Sequence, residues 1–104
     1  MAAPAEAATR YITIVNDDSR TVVQVDMALA GTRDFQTLDI STPLIGGREG
    51  QATAVIPTGA CLRDLRVIYR DSSLLTVTGW TVCRQSVFHI GAVHQAAARQ
   101  RQPI

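Results

Sequence analysis

The chain has 104 residues, 46% of them hydrophobic, and a formal charge of +1. That length supports one domain with a modest core, and the composition argues against wholesale disorder. Near-neutrality argues against a nucleic-acid binder that works by neutralising phosphates, and no apolar run approaches the roughly 18 residues of a membrane-spanning helix.

Residues 1–9 are an Ala-rich arm without a periodic pattern or an apolar signal-peptide core. They look like the stretch that follows a signal-peptidase cut, which implies a periplasmic or secreted protein whose signal peptide lies outside this sequence. A native start at Met1 would instead imply the cytoplasm. Arg10 to Val15 reads as a first strand, ended by the turn signal Asn16-Asp17-Asp18-Ser19. Thr21 to Leu29 is a second strand, with Val23, Val25, Met27 and Leu29 on one face and Gln24 and Asp26 on the other. The two make a plausible hairpin. Asp17 and Asp18 have no third carboxylate or histidine nearby in sequence, so a solvated turn is a simpler account than a metal or acid–base pair.

Ala30 to Asp34 is a loop, and Phe35 to Ile40 is either a short strand or a single turn. Thr42 to Gly50 is Gly-rich but lacks the phosphate-loop spacing and a following helix, which makes it a turn between strands. Gln51 to Ile56 alternates as a strand, and Pro57-Thr58-Gly59 leads into the most patterned part of the chain.

That part runs from Cys61 to Cys83 and reads as a long β-hairpin folded at Asp71-Ser72-Ser73. In this register Tyr69 meets Leu75, Val67 meets Val77, Leu65 meets Gly79, Arg63 meets Thr81 and Cys61 meets Cys83. The alternation of apolar residues specifies the register, because a one-residue slip would scatter them over both faces. A left-handed Ser73 is a poor turn residue, and a longer loop or a bulge near Gly79 would shift the pairing. The opposed cysteines are placed for a disulfide, with two buried free thiols as the alternative. A disulfide would imply export. The second face carries Leu62, Asp64, Arg66, Ile68, Trp80 and Val82. It reads either as covered by neighbouring loops or as a docking surface with Trp80 as anchor and Asp64 and Arg66 beside it.

Beyond Cys83, Ser86 to Ile90 is a last strand, and Ala92 to Gln102 is a polar tail with the composition of a short helix, stopped by Pro103. The chain therefore divides into a leader (1–9), a β domain (10–91) and a tail (92–104), the termini flexible or held by a partner. Short strands punctuated by Gly, Pro, Asp and Ser predict an all-β fold, a small antiparallel sandwich or barrel of about seven strands. No nucleophile elbow or catalytic constellation is visible, and no cofactor motif either, so a non-catalytic protein is expected. His89 and His94 are the only histidines. Together with free cysteines they would suggest a small metal-handling protein, the alternative to a binding module.

Ile12-Thr13-Ile14-Val15-Asn16, Gly46-Gly47, Cys61-Leu62-Arg63-Asp64-Leu65-Arg66, Asp71-Ser72 and Val82-Cys83 together resemble small exported alphaproteobacterial proteins of unknown function. Those carry an I-x-V-x-N strand, a central Gly turn, a C-x-x-D-x-R strand, an Asp-Gly turn and a terminal V-C strand. The chain departs from them at Arg63, where an aromatic is common, at Ser72, which replaces the turn Gly, and around Phe35, where a Trp-Gly pair is usual. The resemblance implies export and a Cys61–Cys83 pair, and supplies no activity. The expected function is an accessory subunit of a larger periplasmic assembly whose partner is another protein.

Overall fold

The computed structural model describes residues 10–48 and 50–94. The expected leader and most of the expected tail lie outside the described residues. Seven strands are present among them: β1 (Arg10–Asn16), β2 (Val22–Leu29), β3 (Gln36–Thr37), β4 (Gly50–Ile56), β5 (Leu62–Tyr69), β6 (Leu74–Thr81) and β7 (Val87–His89). A single helical turn, α1, spans residues 90–94. The strands form two sheets, ordered β4-β1-β7 and β3-β2-β5-β6. The fold is a small all-β sandwich. Its pairings are antiparallel except between β1 and β7, which run parallel.

The expected hairpin of the first two strands does not form, because β1 and β2 belong to different sheets. Each has an apolar face to bury. Ile12 and Ile14 from β1 and Val22, Val25 and Met27 from β2 are all within 1% of complete burial. Placing the strands in opposite sheets lets their apolar faces pack on each other across the sandwich, while β1 pairs with β4 and β2 with β5. β2 also departs from simple alternation. Its pairing with β5 slips between Val22 and Gln24, so Val23 is an extra residue and lies 39% exposed. Val22 thereby shares the core with Val25 and Met27, and the expected apolar face of Val23 to Leu29 is corrected.

The central hairpin is present, with its three-residue turn shifted one position toward the N-terminus. Ile68 faces Leu74, and Val67 faces Leu75 rather than Val77. The loop is Arg70-Asp71-Ser72, closed by the Tyr69 N–H donating to Ser73 O at 3.0 Å. Ser72, not Ser73, takes the left-handed conformation, with φ of 71°. The register then changes near the cysteines. Leu65 pairs with Val77 and Arg63 with Trp80, so Thr78 and Gly79 on β6 stand opposite Asp64 alone. This is a β-bulge, and Gly79 supplies the φ of 72° that it requires.

The bulge reverses the faces of β6. Before it Leu75 is buried; after it Trp80 and Val82 are. Trp80 is 8% exposed and meets Phe88 edge-on, with ring centroids 5.6 Å apart at 72°. The expectation that Trp80 lies on the outer face is therefore corrected. Arg63 is 2% exposed and belongs to the core side of β5, so its expected pairing with Thr81 gives way to Trp80.

Cys61 and Cys83 form a disulfide with Cα atoms 5.3 Å apart. It ties the open end of the hairpin, where the Val82 N–H donates to Cys61 O at 3.0 Å. The cross-link joins residues 22 apart in sequence, which corresponds to about 3 kcal/mol in the chain-entropy model. A Cys61→Ala/Cys83→Ala double variant is expected to lose about that much stability in guanidinium unfolding. Reductant should lower the wild-type midpoint to the same value and leave the variant unchanged.

Candidate functional site

The residues expected to face a partner are used internally. Asp64 receives the Gly31 N–H on one oxygen at 3.0 Å and the Gly79 N–H on the other at 3.2 Å. It fastens the turn after β2 to the bulge of β6. Arg66 donates to Asp26 Oδ2 at 2.9 Å, and its guanidinium lies 4.3 Å from the centroid of the Phe35 ring. Asp26 in turn accepts from the Gln24 side chain and the Thr37 hydroxyl, both at 2.9 Å, tying β3 to β2. Burial works against its ionisation, but the hydrogen bonds from Gln24, Arg66 and Thr37 outweigh that and hold its carboxyl below the ordinary range. Trp80, inside the sandwich, offers no exposed anchor.

Sequence reasoning missed a second polar cluster, at the β1–β2 connection. Asn16 is fully buried. Its amide donates to Arg20 O at 2.8 Å and Leu44 O at 2.7 Å, while its oxygen accepts the Asp18 N–H at 3.1 Å. Asp17 accepts the Gly91 N–H at the start of α1 and lies 3.4 Å from His89 Nδ1. A Cβ on Gly91 would sit 2.7 Å from Asp17 O, so only Gly permits this approach. Asp18 accepts from the Tyr69 hydroxyl at 3.0 Å and lies 2.8 Å from His94 Nδ1. The adjacent acids thus hold the two histidines, one each.

Arg20 completes the cluster. Its guanidinium lies 4.1 Å from the Tyr69 ring centroid and 3.3 Å from His94 Nε2. Arginine has only donors, so Nε2 accepts here and the Nδ1–H donates to Asp18. The imidazole nitrogen that a catalytic dyad would leave for substrate is occupied by a cation. Burial raises the Asp18 carboxyl, but hydrogen bonds from His94, Tyr69 and the Ser19 N–H outweigh it and leave it below the ordinary value. Burial and the Asp18 carboxylate push the Tyr69 phenol well above its usual range. The cluster is a structural clamp that seats α1 against the sandwich.

The metal-handling alternative loses its sulfur ligands, because both cysteines are oxidised to each other. Among the described residues no group of three or more His, Cys, Asp and Glu side chains converges.

Leu62 and Leu74 remain exposed on the larger sheet, and the outer face and edge of the smaller sheet are accessible too. Tyr11 and Val55 pair across β1 and β4 and are each 56% exposed, and Val87 on β7 is 46% exposed. Thr13 and Thr53 lie between them with hydroxyls 3.2 Å apart. β4 is the end strand of its sheet, and its pairing with β1 runs unbroken from Arg10↔Ile56 to Asn16↔Gly50. The Thr13 N–H turns away from β4, donating to Ser86 O at 2.8 Å. Thr13 and Thr53 are therefore a non-hydrogen-bonded pair, and the N–H and C=O of Thr53 point outward, as do those of Gln51 and Val55. No described residue takes them up.

No protein-family model and no curated protein sequence matches the chain. A solved NMR structure of a protein from Eubacterium rectale is similar over 85% of this chain and 80% of that one, with a TM-score of 0.52 at 12% identity. At that identity the likeness concerns the fold alone.

The lowered carboxyls fix a pH dependence. Their ionised forms are favoured in the fold, so they contribute stability above an unfolded-state value of about 4, lost as pH falls through the lower folded-state values. Acid titration followed by circular dichroism should show stability falling below about pH 4. Asp18→Asn combined with Asp26→Asn is expected to lower stability at neutral pH and flatten that acid limb. An unchanged acid limb would assign the dependence to other groups.

Proposed function

We propose that this protein is a non-catalytic binding module, an exported accessory subunit that takes up an extended segment of a partner protein along β4. The carrying observation is the state of that edge. Natural edge strands are blunted by charges, prolines, bulges or covering loops. Gly50-Gln51-Ala52-Thr53-Ala54-Val55-Ile56 has no charge and no proline, and its pairing shows no register shift. Its outward N–H and C=O groups supply the main-chain ladder of β-augmentation, and the exposed side chains Gln51, Thr53 and Val55 supply the recognition face. The neutral edge suits an uncharged, β-branched segment.

Export is supported by the Cys61–Cys83 disulfide, which persists in oxidising compartments. Among the described residues no helix is long and apolar enough to cross a membrane. The resemblance to small exported alphaproteobacterial proteins points the same way. The Asp17 and Asp18 clamps consume the histidines, which supports a non-catalytic role.

Thr53→Pro tests the docking mode. It removes an outward N–H and leaves the β1 ladder intact, so the fold should persist with nearly unchanged melting. Affinity for the partner recovered from the native cell envelope is expected to drop more than tenfold. In the wild-type complex the Gln51, Thr53 and Val55 amides should exchange at least tenfold more slowly than in the free chain. A Thr53→Pro variant that binds as well as wild type would contradict docking at this edge.

A further inference from the structure

We propose that the cavity around Arg63 is a binding site for a carboxylate. Arg63 rises from β5 into the sandwich and is 2% exposed. Its Nε–H donates to Ala60 O at 2.6 Å, and one terminal nitrogen lies 3.6 Å from Met27 Sδ, a weak acceptor. None of the ion pairs among the described residues includes it. A guanidinium does not shed its proton in a protein, so burial here leaves a charge to be compensated. An unpaired buried charge is costly.

The same side chain lines a cavity of about 150 Å³ between the turn after β2 and the segment after β4. Met27 and Pro57 give it apolar walls, and Thr32 and Thr58 also line it. At roughly 30 Å³ per water this is room for about five waters, enough for a carboxyl group with a short stem. The planar guanidinium fork fits carboxylate geometry. A doubly charged phosphate is disfavoured, because Asp34 also lines the cavity and repels added negative charge. The carboxylate belongs either to a small free acid or to the C-terminus of a peptide, and in both the same fork is engaged.

Titration of the full ¹⁵N-labelled chain tests the site. The probes are acetate, acetamide, acetyl-triglycine and acetyl-triglycine amide. Saturable shifts at Arg63 Nε–H and the Thr58 and Gly59 amides are expected with at least one carboxylate and with neither amide. Acetyl-triglycine binding more than tenfold tighter than acetate assigns the site to chain termini; comparable affinities assign it to small acids. Arg63→Met should lose binding at least tenfold. Asp34→Asn, an exposed change that spares the core, should strengthen binding several-fold and decides the matter if Arg63→Met does not fold. Equal responses to acids and amides, no response to either acid, wild-type binding by folded Arg63→Met, or no gain with Asp34→Asn would overturn the assignment.

Discussion

The bulge at Thr78-Gly79, held by the Asp64 carboxylate, is the constraint on which the sandwich depends. A regular β6 would present Val77, Gly79 and Thr81 to the interior and leave Trp80 and Val82 in water. The extra residue reverses that choice, so the largest side chain of the strand packs against Phe88. Asp64 reaches the bulge and the turn after β2 together, coupling β2 and β6, on either side of β5, through one side chain. The disulfide lies just beyond and fixes the strand ends that the bulge has aligned.

At the opposite end of the hairpin the β1–β2 connection plays a similar part with different chemistry. Asn16 saturates three backbone groups from inside the core. Asp17 and Asp18 then hold α1 through the Gly91 N–H and His94, and Asp17 also reaches His89 at the end of β7. Among the described residues no buried side-chain nitrogen or oxygen lacks a partner. The polar residues that sequence patterning marks for chemistry are thus spent on joining strands and turns. That leaves a neutral edge on β4 as the surface to which a partner strand is proposed to add, and Arg63 as a buried cation beside an open cavity.

Several of these features are legible in the residues. The alternation in β1, β4 and β5 follows the buried face directly, the turn signals fall between strands, and the two cysteines are opposed. The pairing of Cys61 with Cys83 holds even though the hairpin body is shifted, because the bulge returns half of the offset created by the shifted turn. What strict alternation misses are the two places where a strand gains a residue, at Val23 and at Thr78-Gly79. A bulge leaves no periodic trace, and Gly79 was its only local sign. The sheet assignment of β1 and β2 was also hidden. A short connection suggests a hairpin, and only the long-range pairing of β1 with β4 and of β2 with β5 shows otherwise. The Asp–His pairs join positions more than seventy residues apart, a distance no local pattern spans.

Trp80 is the sole tryptophan of the chain, so its fluorescence reports the central claim, that an Asp64-held bulge turns β6 inward, without interference. In the native protein its emission should be blue-shifted and its acrylamide quenching several-fold slower than in denaturant. Native emission and quenching equal to those of the unfolded chain would place Trp80 in water and contradict the bulge.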